Sequence, residues 1–110
     1  MSVHALPIDT DCEELTEGSF LLRVRGEIDM ATTPLVERAL EDCIESEPAR
    51  VLVDMSEVTF IDAAGVRSLN DFDERFRSTG AELLVSRPSW QVRRVLETAR
   101  KRCRLRIAPD

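Results

Sequence analysis

The chain has 110 residues and a mass of 12.4 kDa, the size of one ordinary domain, so residues 1–110 are expected to fold as a single unit. Hydrophobic residues make up 43% and charged residues 33%, a balance that excludes a disordered chain. No apolar run approaches the roughly 20 residues that a membrane-spanning helix needs. The acidic start, Met1 to Glu14, lacks the basic and apolar regions of a secretory signal. We therefore expect a soluble, cytoplasmic protein without membrane insertion.

Charge is distributed unevenly along the chain. The net charge is −6 overall, but the last 18 residues carry a net +5. A basic tail at about residues 100–110 suits phosphate groups, yet no aromatic residues interleave with it and the acidic body would repel nucleic acid. We therefore expect no nucleic-acid partner and interpret the tail as the solvated end of the last helix. Docking of the tail on an acidic partner or lipid surface stays open as an alternative.

The first half of the chain contains two predicted strands and a helix. Residues 19–26 alternate between apolar and polar side chains, as a half-buried strand does, and residues 5–11 are a candidate hairpin partner. Thr32 and Thr33, followed by Pro34, predict a helix start capped by a hydroxyl. The helix is predicted to run to about Glu47, with its apolar face formed by Leu35, Val36, Ala39, Leu40, Cys43 and Ile44.

The second half repeats a strand-helix pattern. Residues 50–55 form a nearly continuous apolar run, typical of a central strand covered on both faces. A second helix follows Asp62 and ends near Gly80, residues 81–86 form another strand, and Pro88 opens a third helix. Residues 105–108 are a candidate edge strand. The order β-β-α-β-α-β-α predicts an α/β fold with a mixed sheet of about four to five strands, and a core that includes Leu40, Val53, Leu69 and Leu84.

Motifs for common catalytic and cofactor sites are missing. The chain has four scattered glycines and no phosphate-binding loop, and its single histidine, His4, is a weak candidate for a general base. Three scattered cysteines and one histidine give no plausible zinc site. Asp29, Asp54 and Asp62 could form a magnesium-binding cluster at strand ends, although caps and turns also require aspartate. We expect a protein that is not an enzyme and holds no metal or cofactor.

Two motifs point to a family. Residues 26–29 read GEID, and residues 54–66 read DMSEVTFIDAAGV. They resemble the STAS domain, the fold of bacterial anti-sigma factor antagonists. That family has a G-E-apolar-D turn before the first helix and, about 25 residues later, a strand, a D/N-x-S segment and F-apolar-D-S-S-G at the start of the second helix. The order and separation are the same here, and the resemblance covers about residues 19–96.

The resemblance implies a regulatory domain that binds a protein partner. In this family the antagonist docks onto an anti-sigma factor that is also a serine kinase, which frees the sigma factor. The kinase then phosphorylates the second serine of D-S-S-G, and the phosphorylated antagonist dissociates. A helix N-terminus tolerates that phosphate because of its free N–H groups and its dipole.

This sequence departs from the family at the phosphorylated position. The motif reads Asp62-Ala63-Ala64-Gly65, so Ala64 occupies the acceptor position and no phosphorylation is expected there. Such an antagonist would resemble the permanently unphosphorylated, binding-competent form. Ser68, one helical turn further on, stays open as a substitute acceptor.

The predicted partner surface combines the two motifs with the outer face of the second helix, on which Ala64, Arg67, Ser68 and Asp71 are expected to be exposed. Asp29 and Asp62 could contact the partner or serve only as turn and cap residues. Two alternatives remain: a STAS subunit of a membrane transport complex of the lipid-export ATPase type, and a degenerate STAS scaffold. The oligomeric state stays open. The full predicted set is Asp29, Asp62, Ala63, Ala64, Gly65, Arg67, Ser68 and Asp71.

Overall fold

The computed structural model describes residues 8–109, which form five strands and three helices in the predicted order. Alternating strands and helices build a sheet with helices packed on it, and the α/β fold class with its mixed sheet is confirmed. The elements are β1 (Ile8–Thr16), β2 (Ser19–Ile28), α1 (Thr33–Glu45), β3 (Arg50–Ile61), α2 (Ala63–Ser78), β4 (Glu82–Ser86), α3 (Trp90–Ala99) and β5 (Arg106–Ile107). Among these described residues, no helix is long and apolar enough to cross a membrane.

The strands lie in chain order across the sheet, β1-β2-β3-β4-β5. β1 and β2 form an antiparallel hairpin, and every later neighbour is parallel. Because parallel crossovers are right-handed, a sheet that grows in one direction places α1, α2 and α3 on the same face. One buried core lies between that face and the helices.

The opposite face of the sheet is open, which corrects the expectation that the central strand is covered on both sides. Leu40, Val53 and Leu69 are buried as predicted. Leu84 is only half-buried, because its neighbours Leu83 and Val85 point into the core and turn it to the open face. Ion pairs such as Arg25–Asp9, at 2.9 Å, and Arg50–Glu82, at 3.1 Å, cross this face between strands.

The first helix begins differently from the prediction. Pro34 lies in its first turn, but the Thr32 hydroxyl does not cap it: the Oγ1 donates to the Glu27 carbonyl at 2.6 Å instead. Leu35 is exposed rather than part of the apolar face. β1 extends to Thr16, beyond the predicted end at residue 11, and residues 5–7 of that prediction lie outside the described residues.

β3 is longer than the strand predicted over residues 50–55, because it continues to Ile61. Two register shifts against β2 insert two extra residues into β3. β4 pairs with β3 only along Arg50–Asp54. In the described part of the chain, the second half of β3 therefore has β2 as its one neighbouring strand. On its other edge, Ser89 donates its N–H to the Met55 carbonyl at 3.1 Å and its hydroxyl to the Val58 carbonyl at 2.6 Å. The start of α3, which Ser89 rather than Pro88 caps, is thereby fixed to the second half of β3.

The basic tail is part of the fold, which corrects its interpretation as a solvated helix end. α3 ends at Ala99, and the chain then returns across α2 to form β5. The Arg104 N–H donates to Asn70 Oδ1 at 2.9 Å, and Arg77 donates to the Arg104 carbonyl at 3.2 Å. Arg106 pairs with Glu82 at 3.4 Å. These contacts hold residues 103–107 between α2 and β4.

Candidate functional site

The two sequence motifs meet at the carboxyl edge of the sheet. β2 ends at Ile28 and β3 at Ile61, and the Asp62 N–H donates to the Ile28 carbonyl at 3.0 Å. Asp29 and Asp62, both half-buried, therefore open the two adjacent connections that lead into α1 and α2.

Asp29 organises the turn before α1. Its carboxylate accepts hydrogen bonds from the N–H groups of Ala31 and Thr32, at 2.9 and 3.0 Å. The Thr32 hydroxyl accepts from the Asp29 N–H at 2.9 Å, and the Thr33 hydroxyl donates to the Asp29 carbonyl at 2.7 Å. Since side-chain oxygens satisfy the backbone groups of this turn, the turn holds a fixed shape and Met30 projects from its apex, 79% exposed.

Asp62 and Gly65 fix the start of α2. The Asp62 carboxylate caps the helix by accepting from the Gly65 N–H at 2.9 Å. Gly65 is buried, so it serves the site through close packing rather than by touching a partner. A Cβ at this position would lie 2.8 Å from Ile28 Cγ2 and 2.9 Å from Ile61 Cγ1. Glycine therefore lets the first turn of α2 lie directly on the ends of β2 and β3.

The outer sector of α2 is less uniform than predicted. Ala63, Arg67 and Asp71 are exposed, whereas Ala64 and Ser68 are half-buried. The Ser68 flank leans against α1, where the Ser68 hydroxyl donates to Glu37 Oε2 at 2.6 Å. The predicted surface thus has an exposed ridge on α2 and one flank that takes part in the α1–α2 contact.

The contact between α1 and α2 continues below Ser68. Arg75 binds Glu41 through two hydrogen bonds of 2.9 and 2.8 Å, and the Arg75 guanidinium holds the pKa of the Glu41 carboxyl below its usual value. Arg75 also lies over the ring of Phe72, 4.8 Å from its centroid. These contacts fix the position of α2 relative to α1 and therefore the position of its N-terminus.

Exposed apolar side chains gather around this edge of the sheet. Within residues 8–109, six large apolar residues are exposed. Four of them belong to segments at the carboxyl edge: Met30 in the turn, Leu35 in the first turn of α1, Phe60 near the end of β3, and Trp90 at the start of α3, 67% exposed. Sequence reasoning did not single out these residues, because each is isolated in the chain and only the parallel topology brings their segments to one edge. Leu35 lies beside β1, on the side of α1 away from α2.

In residues 8–109, Asp29, Asp54 and Asp62 each have separate hydrogen-bond partners and are not brought together as three ligands. Asp54 is buried, accepts from the Ser56 N–H at 2.9 Å and lies 3.7 Å from Arg87. Asp29 and Asp62 use their carboxylates in the turn and the cap. Within the described part of the chain, no group of three or more potential ligands could hold a metal ion.

A groove opens beside the site, between α2 and α3. Its volume is about 690 Å³, and residues 101–103 of the tail line it as well. Arg67 from the predicted surface lies on its rim together with Arg94, Lys101 and Arg102. The sequence showed a basic C-terminal region, but it did not show that three separate segments bring these charges to one groove.

Comparison with known proteins places the chain in a family. The family model of the STAS domain matches residues 13–110, and no curated protein sequence matches the chain. An anti-sigma factor antagonist from Mycobacterium paratuberculosis has a similar structure, with 26% sequence identity and a TM-score of 0.79 over 96% of this chain and 92% of that one. A putative anti-sigma factor antagonist from Thermotoga maritima gives 16% identity and a TM-score of 0.80 over 92% and 86%.

The Bacillus cell fate determinant SpoIIAA, in its phosphorylated form, is also similar, with 16% identity and a TM-score of 0.67 over 83% of each chain. At such low identity, the Thermotoga and Bacillus structures support the fold alone. The family match extends over most of the chain and includes both motifs that meet at the carboxyl edge of the sheet. The chain belongs to the STAS domain family.

Proposed function

We propose that this STAS domain is a non-enzymatic protein-binding domain of the anti-sigma factor antagonist type, acting in the cytoplasm on a serine-kinase-like anti-sigma factor. The observation that carries the proposal is the exposure of Met30, Phe60 and Trp90 in segments at the carboxyl edge of the sheet, where α2 also begins, and we propose that they form one apolar patch. Apolar side chains clustered at an exposed surface mark protein-binding sites. The similarity to the Mycobacterium antagonist over 96% of the chain supports the type of partner.

α2 begins at the same edge of the sheet as the patch, and its first turn holds the position at which the family carries its phosphate. Ala64 lies in the first turn of α2, where the free N–H groups and the helix dipole would favour an anion, but its side chain has no oxygen to accept one. Ser68 is a poor substitute, because it is half-buried and donates to Glu37 at 2.6 Å. A phosphate on Ser68 would place roughly −1.5 to −2 charges against that carboxylate. We therefore propose that the domain binds its partner without a phosphorylation switch at Ala64 or Ser68.

The patch can be tested with single charges. Met30→Asp and Trp90→Asp place an acid at positions that are 79% and 67% exposed, so folding should survive. In a packed interface an unpaired charge is costly, and each variant should bind the anti-sigma factor of the same organism at least about tenfold more weakly by calorimetry. Leu15→Asp is the matched control, because Leu15 is also exposed but lies in β1 beside the β1–β2 turn. If Met30→Asp and Trp90→Asp bind the partner as tightly as Leu15→Asp and the parent protein do, the patch is not part of the interface.

The missing switch has its own test. Ala64→Ser restores the hydroxyl at the family position, so the anti-sigma factor with ATP should phosphorylate this variant and leave the parent unmodified, as read by intact mass. Ala64→Asp should weaken binding, whereas Ala49→Asp, exposed next to the amino end of β3, should not. Phosphate on the parent at Ser68, or co-purification with a transporter permease and its ATPase in place of an anti-sigma factor, would contradict the proposal.

A further inference from the structure

The groove between α2 and α3 concentrates positive charge that the fold does not use. Its rim carries Arg67, Arg94, Lys101 and Arg102, all exposed. Elsewhere in the described part of the chain, seven arginines form ion pairs with carboxylates. Within residues 8–109, none of the four rim cations has a carboxylate within 4.0 Å. Within the same residues, Arg38, Arg93, Arg100 and Arg104 form no such pair either, so the rim cations are distinguished by their convergence on one concavity. In a protein of net charge −6, that convergence suits an anion from outside the chain.

The walls and floor of the groove are mostly apolar. Val66 on α2 and Val95 and Ala99 on α3 contribute aliphatic surface, and Cys103 of the tail adds its side chain. Burial raises the pKa of the Cys103 thiol, so this side chain is neutral at physiological pH and adds to the apolar lining. Such a lining favours a ligand with a hydrocarbon body, since a fully hydrated anion gains little from apolar walls.

The size of the groove favours a small molecule over a partner helix. Along α2 it extends from Ala63 to Asn70, about 10 Å at the rise of an α-helix. Beyond Asn70 the tail crosses α2, held by the hydrogen bond of 2.9 Å from the Arg104 N–H. A volume of about 690 Å³ lies in the range of small-molecule sites.

We propose that this groove binds a small amphipathic anion, with an aliphatic body against Val66, Val95 and Ala99 and a carboxylate among the rim cations. Arg94 and Lys101 supply charge, and the Asn70 amide, which also lines the groove, can donate a hydrogen bond to the carboxylate. The Thr98 hydroxyl donates instead to the Arg94 carbonyl at 3.0 Å. Arg67 is shared with the partner surface proposed above. Arg94 is not, so a test at Arg94 is independent of the proposed function.

The test uses octanoate, 1-octanol and inorganic phosphate as probes, titrated separately into the full chain and followed by ¹H–¹⁵N spectra. Octanoate should produce saturable shifts centred on Val66, Ala99 and Cys103. The uncharged 1-octanol, which has the same body, should bind at least about tenfold more weakly. Phosphate, which has the charge without the body, should not shift the residues of the apolar lining.

Two variants locate the charge and the cavity. Arg94→Gln should weaken octanoate binding about fivefold or more, while Arg93→Gln, the adjacent exposed arginine outside the groove, should leave it unchanged. Thr98→Trp, a change at an exposed position on the groove, should obstruct binding with a spectrum that otherwise stays folded. The proposal is overturned by the absence of saturable octanoate binding, by equal affinity for octanol, or by equal effects of the two arginine variants. In the first case the rim cations would belong to an acidic segment of a protein partner.

Discussion

Replacing Gly65 with alanine tests how α2 is placed on the sheet. The added Cβ would lie 2.8 Å from Ile28 Cγ2 and 2.9 Å from Ile61 Cγ1, closer than carbon atoms normally approach. Both isoleucines are buried, at 1% and 3% exposure, so neither side chain can swing into solvent. Either α2 moves away from the strands, or the two side chains leave their preferred rotamers.

The expected cost follows from two opposing effects. Overpacking of a buried contact costs about 1–3 kcal/mol, whereas alanine in a helix is favoured over glycine by at most about 1 kcal/mol. Packing prevails, and Gly65→Ala should lower the free energy of unfolding by about 1–2 kcal/mol. In a domain of this size that corresponds to a decrease in Tm of roughly 4–16 °C.

Urea denaturation followed by circular dichroism measures the effect, and a double-mutant cycle identifies its cause. Ile28→Ala removes the clashing methyl group, so the double variant should lose at least about 0.5 kcal/mol less than the sum of the single losses. Gly80→Ala is a useful contrast, because Gly80 has no neighbour within 4 Å but a φ of +83°. Its cost comes from backbone strain and should not change with Ile28→Ala. Additive losses at Gly65 and Ile28 would refute the close-packing argument.

Three further predictions concern the core. In the same denaturation assay, Leu69→Ala should lower the free energy of unfolding by about 2–5 kcal/mol, and Leu84→Ala, at a half-buried position, by only about 1 kcal/mol. Equal losses would contradict the assignment of Leu84 to the open face of the sheet. Burial beside Cys12 raises the pKa of the Cys43 thiol to about 12. Iodoacetamide at pH 8 should therefore label exposed Cys12 in the folded protein and Cys43 only in denaturant, and peptide mass spectrometry measures both. Burial raises the pKa of the Asp73 carboxyl, so the folded state holds this proton more tightly and stability should fall as pH rises through the window above about 3.8. Asp73→Asn should reduce that slope, and an unchanged slope would assign the pH dependence to other groups.

Local patterns predicted most of the fold, because the signals for each element are short-range. Alternation identified β2, Asp62 and Gly80 bounded α2, and the order of strands and helices predicted the mixed sheet. The errors arose where two apolar residues are adjacent, as in Leu83-Leu84 and Leu35-Val36. Periodicity locates such a pair in its element, but which member points inward depends on the packing of the whole sheet.

The candidate site was predicted only in part for a similar reason. The motifs located Asp29 and Asp62 correctly at adjacent strand ends, and helical spacing placed Arg67 and Asp71 on an exposed sector. Spacing alone could not show that Ser68 hydrogen-bonds to Glu37 on another helix. Nor could it show that several segments at the carboxyl edge each carry an exposed apolar residue, since those segments come to one edge only in the folded sheet.

The unequal width of the sheet has a consequence for motion at the site. Where β3 lies between β2 and β4, each of its edges is hydrogen-bonded to a strand, but its second half has only β2 beside it and the Ser89 contacts on the other edge. Local opening requires less free energy where fewer cooperative contacts must break. Within the described residues, β1 leaves the other edge of β2 after Gly26, so only Glu27–Ile28 and Phe60–Ile61 form a two-stranded tip. We expect this tip to open before the wider part of the sheet. Because α1 and α2 both begin at this tip, its opening would move their N-terminal turns together rather than change the shape of either turn, since each turn is held by its own hydrogen bonds.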